Sequence, residues 1–209
     1  MTLGEIKIES LKLMYTNLDS DINADMIDIY LNDDNYRGYL LGMTGSINRC
    51  FGRIEERKVL PSKTKRFVAD EGTVSSKYIR YDLDAITDLY CVDRVVYESA
   101  NEYVPDYDYM TEGNTLVLDR ISNDGAYTLI YKPSIKRVYS GDSNDDIIEI
   151  PDSIAAIIPY YVKGDLFRDD EPNEASESRN WFEQALDEIA QKPTSKSNTV
   201  KTVFNQTEW

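Results

Sequence analysis

The most site-like stretch of this 209-residue chain is Gly141-Asp142-Ser143-Asn144-Asp145-Asp146. Asp142, Asn144 and Asp146 have the one-three-five spacing of a calcium loop, whose oxygens suit a hard cation. That pattern then needs glycine at its sixth position and glutamate at its twelfth, and this chain has Ile147 and Ser153. A solvated acidic turn is the expectation. Asp106-Tyr107-Asp108-Tyr109 sets carboxylates between aromatics, as in a sugar platform or an acid–base pair. Glycosidic chemistry requires two carboxyls held ~5–10 Å apart across a bond, which adjacency in sequence does not supply. Tyrosine is favoured in protein interfaces, so Tyr103, Tyr107 and Tyr109 are candidate subunit-contact residues. The Gly42-Met43-Thr44-Gly45 string lacks the remaining glycine and the lysine of a phosphate loop.

Composition narrows the chemistry further. The chain has no histidine, which removes the Ser-His-Asp and Cys-His pairs and histidine-ligated zinc. Its two cysteines, Cys50 and Cys91, are too few for an all-thiolate zinc site and suit ordinary thiols. No catalytic, cofactor-binding or metal site is expected, and the protein is read as a non-enzyme. With 38 acids against 23 bases the formal charge is −15, which opposes binding driven by phosphate neutralisation. The N-terminus lacks the basic start and apolar run of a secretory signal, and no apolar stretch approaches the ~20 residues of a membrane span. A soluble protein made in a reducing cytosol is expected.

Three zones and a tail differ in period, and they divide the chain at 1–62, 63–150, 151–190 and 191–209. The first is helical. Thr2 and Glu5 have capping-box spacing, and Ile8, Leu11 and Tyr15 follow before a turn cluster at Asn17–Asp21. A short segment, Ala24 to Leu31, precedes a new start signal at Asn32-Asp33-Asp34. Leu40, Met43, Ile47, Cys50, Phe51 and Ile54 then form one stripe that should end at Arg57-Lys58. Gly38, Gly42, Gly45 and Gly52 lie in this helix, each unfavourable by up to ~1 kcal/mol against alanine. They suggest close approach to another backbone, within the subunit or across a subunit contact, or tolerated surface positions.

In the second zone Lys77–Asp82 alternates with period two, as does Tyr127–Tyr131 in part, while Tyr90–Tyr97 and Thr115–Leu118 are rich in strand formers; turn signals separate them. It holds ten of the sixteen tyrosines and 17 acids against 10 bases. A small antiparallel sandwich or barrel is expected. In the third zone Pro151-Asp152-Ser153 marks a boundary and cap, and Ile154, Ile157, Ile158, Tyr161, Val162 and Leu166 trace one face that Pro159 interrupts. A further helix starts near Pro172 and should bury Trp181, Phe182, Leu186 and Ile189. From Gln191 the periodicity stops, yet Val200, Val203, Phe204 and Trp209 remain. These are anchors for a segment that orders on a partner, or a frayed end, or a helix folded back on its own domain. The class is α+β: a discontinuous helical bundle, an inserted antiparallel β module and an extended C-terminal tail.

One stretch carries a likeness. Ile150-Pro151-Asp152-Ser153-Ile154, the segment Pro159-Tyr160-Tyr161-Val162-Lys163-Gly164-Asp165-Leu166-Phe167, and Asp169-Asp170-Glu171-Pro172 lead into Ala175, Trp181-Phe182 and Leu186. This helix, acidic hairpin and helix resembles the C-terminal pair of the head–tail adaptor, or connector, proteins of tailed bacteriophages. The likeness reaches sequence detail over about forty residues and describes packing rather than chemistry. The resemblance implies a virion protein, synthesised in the host cytoplasm. Its subunits would form a ring, commonly dodecameric, between the capsid portal and the neck or tail. Double-stranded DNA would pass through without specific binding. It implies the portal protein and further neck or tail proteins as partners, with no membrane, and assigns portal docking to the tail from Lys192, with Val200, Val203, Phe204 and Trp209. The alternative is a receptor- or glycan-binding module of a tail or baseplate, using Tyr103, Tyr107 and Tyr109.

Overall fold

A computed structural model describes residues 1–15, 18, 22–68, 72–74, 77–119 and 125–191. The tail from 192 to 209 and most of the Asn17–Asp21 cluster lie outside the described residues. The protein is α+β, with two antiparallel sheets and helices on either side of them in sequence.

Helix α1 (Leu3–Met14) begins at the expected capping box: Thr2 Oγ1 accepts from the Glu5 amide at 3.1 Å, and the Thr2 amide donates to Glu5 at 2.8 Å. A 3-10 turn at Ala24–Met26 leads into the short α2 (Ile27–Leu31). Asp33 caps the long α3 (Asp34–Glu56), accepting from the Asn35 amide at 2.9 Å. The predicted stripe of α3, from Leu40 to Ile54, is buried. Lys58 ends the helix in the left-handed region, at φ 53°.

Eight strands follow among the described residues: β1 (Lys63–Val68), β2 (Thr73–Val74), β3 (Tyr78–Asp82), β4 (Leu89–Glu98), β5 (Tyr103–Val104), β6 (Tyr109–Glu112), β7 (Thr115–Asp119) and β8 (Ala126–Pro133). They form two sheets of order β1-β8-β4-β5 and β2-β3-β7-β6. β1, which carries three basic residues in KTKRFV, shows no clean alternation and escapes the period-two signal. β8 alternates, so Tyr127, Leu129 and Tyr131 enter a core that Ile79, Tyr81, Leu116 and Leu118 reach from the other sheet. Phe67 stacks on Tyr81 across this core, with ring centroids 4.6 Å apart.

The chain returns to helix at α4 (Asp152–Ala155), α5 (Ile158–Leu166) and α6 (Pro172–Gln191). The boundary and cap expected within Ile150–Ser153 fall at Pro151, which takes the cap position without a side-chain hydrogen bond. Pro159 proves harmless because the chain breaks before it and places it in the first turn of α5, where no intrahelical amide is needed. α1, α3, α5 and α6 share one hydrophobic core, which contains Leu3, Ile6, Leu11, Ile47, Phe51, Ile158, Val162, Phe182 and Leu186. Ile135, Val138 and Ile148, from the strand-free stretch after β8, belong to this helical core as well.

One sequence expectation about packing is corrected. Trp181 is 44% exposed and lies outside the core, stacked on Tyr160 at 3.7 Å between ring centroids. Among the glycines of α3, Gly38 and Gly52 have nothing within 4 Å of an added Cβ, as tolerated positions would, whereas Gly164 of α5 lies close against the backbone of α6. At Gly164 that Cβ would stand 2.9 Å from the Ala175 carbonyl oxygen and 2.8 Å from Arg179 Cγ on α6. Gly164→Ala is therefore expected to lower stability by about 1–3 kcal/mol, since α6 must shift outward. Gly38→Ala should instead raise it, by up to ~1 kcal/mol. Urea unfolding of both variants checks the contrast, and equal effects would place the α5–α6 contact wrongly.

Candidate partner-binding surfaces

The acidic turn at 141–146 is built into the fold. The Leu3 amide donates to the Asp146 carbonyl at 2.9 Å and the Gly4 amide to the Asn144 carbonyl at 2.8 Å. The Asn144 side-chain oxygen accepts from Lys7 Nζ at 2.9 Å. Asn144 and Asp146 thus hold the N-terminus of α1, while Asp142 accepts from the Tyr139 amide within the turn. Among the described residues, no group of three or more acids or cysteines is placed to hold a metal ion. No described helix is long and apolar enough to cross a membrane.

The three tyrosines expected at a subunit contact separate. Tyr103 on β5 is 64% exposed, opposite Glu98 of β4. Tyr109 is exposed on β6, an edge strand of the other sheet. Tyr107 lies in the core, which removes it from any direct contact with a partner: its hydroxyl donates to the Asp119 carbonyl at 2.6 Å, and its ring packs on Tyr97 and Tyr127. Burial, then the neighbouring Tyr127 and Asp119, push its phenol well above the ordinary range. Alternation within Asp106–Tyr109 is therefore read by the core, and these rings form no shared platform. The portal-docking residues Lys192, Val200, Val203, Phe204 and Trp209 lie outside the described residues.

Sequence spacing gave no sign of three long-range polar clusters, because their members lie more than 75 positions apart, save one pair within the C-terminal helices. Glu55 at the end of α3 is 3% exposed and accepts from the Ile135 amide at 2.6 Å and from Arg137 Nη2 at 2.5 Å. Asp165 on α5 is gripped by Arg49 of α3 and Arg179 of α6. Glu183 on α6 accepts from Arg53 at 2.8 and 2.9 Å and from Arg57 at 3.0 Å. Its only foreshadowing was the position of Arg53 and Arg57 four residues apart, on one face of α3. Cys50 lies within this helical core, and burial raises its thiol well above the ordinary value.

The Arg53 hydrogen bonds hold the Glu183 carboxyl below its ordinary 4.5, against the opposing effect of burial, and Arg57 adds to them. A lowered folded pKa means stability that is fully present above pH 4.5 and is lost as pH falls through the folded value. Glu183→Gln should cost about 1 kcal/mol at neutral pH, after discounting for partial exposure, and flatten the acid limb of the stability curve. Thermal melts between neutral and acid pH test this; an acid limb unchanged from wild type would contradict it.

Two concavities open among the described residues. One, of about 590 Å³, lies in the β module between Leu83, Tyr90, Thr111 and Asn114, where Asn114 donates to Asp84 at 2.6 Å. The other, of about 780 Å³, runs along the junction of the two cores, past Leu60, Lys63, Asp88, Lys136 and Ile147. Asp88 accepts there from Lys63 at 2.6 Å and from the Tyr131 hydroxyl at 3.0 Å. The Lys63 bond holds its carboxyl below the ordinary range, against burial, while burial and Asp88 push Tyr131 up to about 12. In comparisons with known proteins, no family model and no curated protein matches the chain.

Proposed function

We propose that the chain is a structural interaction protein: a ring-forming adaptor of a tailed bacteriophage virion, set between the capsid portal and the neck or tail, where it lengthens the DNA channel. One observation carries this reading. Helices from both ends of the chain share a single core around an interposed pair of sheets with its own core, as expected of a discontinuous helical bundle bearing an inserted β-sandwich. The three polar clusters support it, since they tie α3 to α5, α6 and the segment entering α4 and make the helical part a stiff platform. The formal charge of −15 suits a conduit through which DNA slides without being gripped.

An affinity pull-down of the tagged chain from a phage-producing culture, read by mass spectrometry, tests the assignment. Recovery of portal protein at near-equal stoichiometry is expected. Deletion of residues 192–209 should abolish that recovery while leaving the melting temperature unchanged. Recovery of tail fibre, baseplate or surface glycan in place of portal protein would move the assignment to a receptor-binding module.

A further inference from the structure

The sheet β1-β8-β4-β5 has one face on the core and one face that no core claims. On β8, Tyr127, Leu129 and Tyr131 point inward, so Thr128, Ile130 and Lys132 point outward. Register sets Arg66 of β1 and Val96 of β4 beside Thr128, and Arg94 of β4 beside Ile130. Val96 and Ile130 are half-buried yet belong to neither hydrophobic core. Arg66 and Arg94 are exposed and meet no carboxylate among the described residues. Lys132 is held by the Leu60 carbonyl at 2.9 Å. A chain of formal charge −15 thus sets three cations around an apolar strip on one sheet face, with Glu98 on that face and Asp93 exposed beside Arg94 at the bulge of β4.

The complement is present on the same molecule. The segment from Tyr139 to Glu149 exposes Asp145, Asp146 and Glu149 around two protruding apolar side chains, Tyr139 at 66% and Ile147 at 73% exposure. Its backbone is pinned to the N-terminus of α1, so the projection is held in shape before any contact forms. Acid around an apolar knob matches base around an apolar strip, in sign and in polarity.

We propose that the outer face of the β1-β8-β4-β5 sheet receives the acidic Tyr139–Glu149 turn of a second copy, so that copies associate head to tail. Such a contact is heterologous and generates a ring if its rotation closes, or a filament if it does not. The contact rests on the adaptor reading for ring closure, and the charge pattern selects the two faces. Nucleic-acid phosphate would also answer the cations. The apolar strip between them favours a protein surface, which can bury Val96 and Ile130.

Sedimentation of the full chain over a range of concentrations provides the test, using wild type, R66E/R94E, D145K/E149K and an equimolar mixture of the two variants. Wild type should self-associate, more weakly at ~1 M than at ~0.1 M salt. Each variant should associate at least about tenfold more weakly, because one face is reversed. The mixture should recover association, since each variant then meets a complementary face on the other. All four substitutions lie on exposed side chains, and matching melting temperatures and circular dichroism show that the variants fold. The milder Arg94→Gln, which should weaken association in the same direction, is the second variant if a reversal disturbs the sheet. A wild-type monomer at every concentration, unchanged association in either variant, or no recovery in the mixture would each overturn the contact. Binding of a DNA duplex that R66E/R94E removes, in a chain that does not self-associate, would also overturn it and give the face to phosphate. A monomer that still captures portal protein sinks this contact alone, and a self-associating chain that captures none sinks the adaptor reading alone.

Discussion

Arg137→Ala is expected to destabilise the protein by about 3–5 kcal/mol at neutral pH, although the arginine itself is part-exposed. The reason lies at the other end of the bond. Glu55 is 3% exposed, and its carboxylate is satisfied by Arg137 and by the Ile135 amide. Removing the guanidinium leaves a buried charge with one neutral donor. The double variant Glu55→Met/Arg137→Met should recover much of the loss, because it removes both polar partners together and leaves only the Ile135 amide unpaired. Guanidinium unfolding of the two single variants and the double closes the cycle. A cost for Arg137→Ala below ~1 kcal/mol would mean that water reaches Glu55 and that no clasp exists. This bond fastens the segment leaving β8 onto α3, and Ile135, Val138 and Ile148 follow it into the helical core. The acidic turn at 139–149 owes its placement to that fastening.

Leu186→Ala should cost about 2–5 kcal/mol, as expected for a leucine that is wholly buried in the core α6 shares with α5 and α3. Trp181→Ala, five residues earlier on the same helix, should cost only about 1 kcal/mol, the worth of an exposed stacked pair. The order of the two is the informative quantity. A tryptophan outranks a leucine on area alone, so a larger loss at Trp181 would mean that the helix presents its other face to the core. Heat or urea unfolding of both variants distinguishes the cases directly. A Leu186→Ala cost below ~0.5 kcal/mol would likewise show the face to be misassigned.

Local signals carried much of the fold. The Thr2–Glu5 box, the Asp33 cap and the run from Leu40 to Ile54 are each written within a few residues, and each forms as its spacing implies. Strands β3, β4, β7 and β8 were likewise visible, because their side chains alternate between a core and an outer face or run through with strand formers. Strand β1 was not. Its residues Lys63 to Arg66 are all exposed at a sheet margin, so no burial imposes a period on them. Its place is decided by pairing with β8.

The candidate surfaces divide on the same line. Tyr103, Tyr107 and Tyr109 form a cluster in the sequence, but strand alternation and two separate sheets send one to an outer face, one to the core and one to an opposite edge. Glu55 and Arg137, or Arg53 and Glu183, gave no sequence signal of pairing, since a charge does not announce its partner across 80 or 130 positions. By itself, the sequence determined the types of element, most of their ends, the absence of histidine chemistry and the acidic balance of the chain. All of these follow from composition or from interactions within a turn or two. Which helices share a core, which glycines meet a backbone and which sheet face gathers Arg66, Arg94 and Lys132 were decided only by tertiary structure. They depend on contacts between residues brought together by the whole chain, whose loop-closure cost is met only when the full core forms.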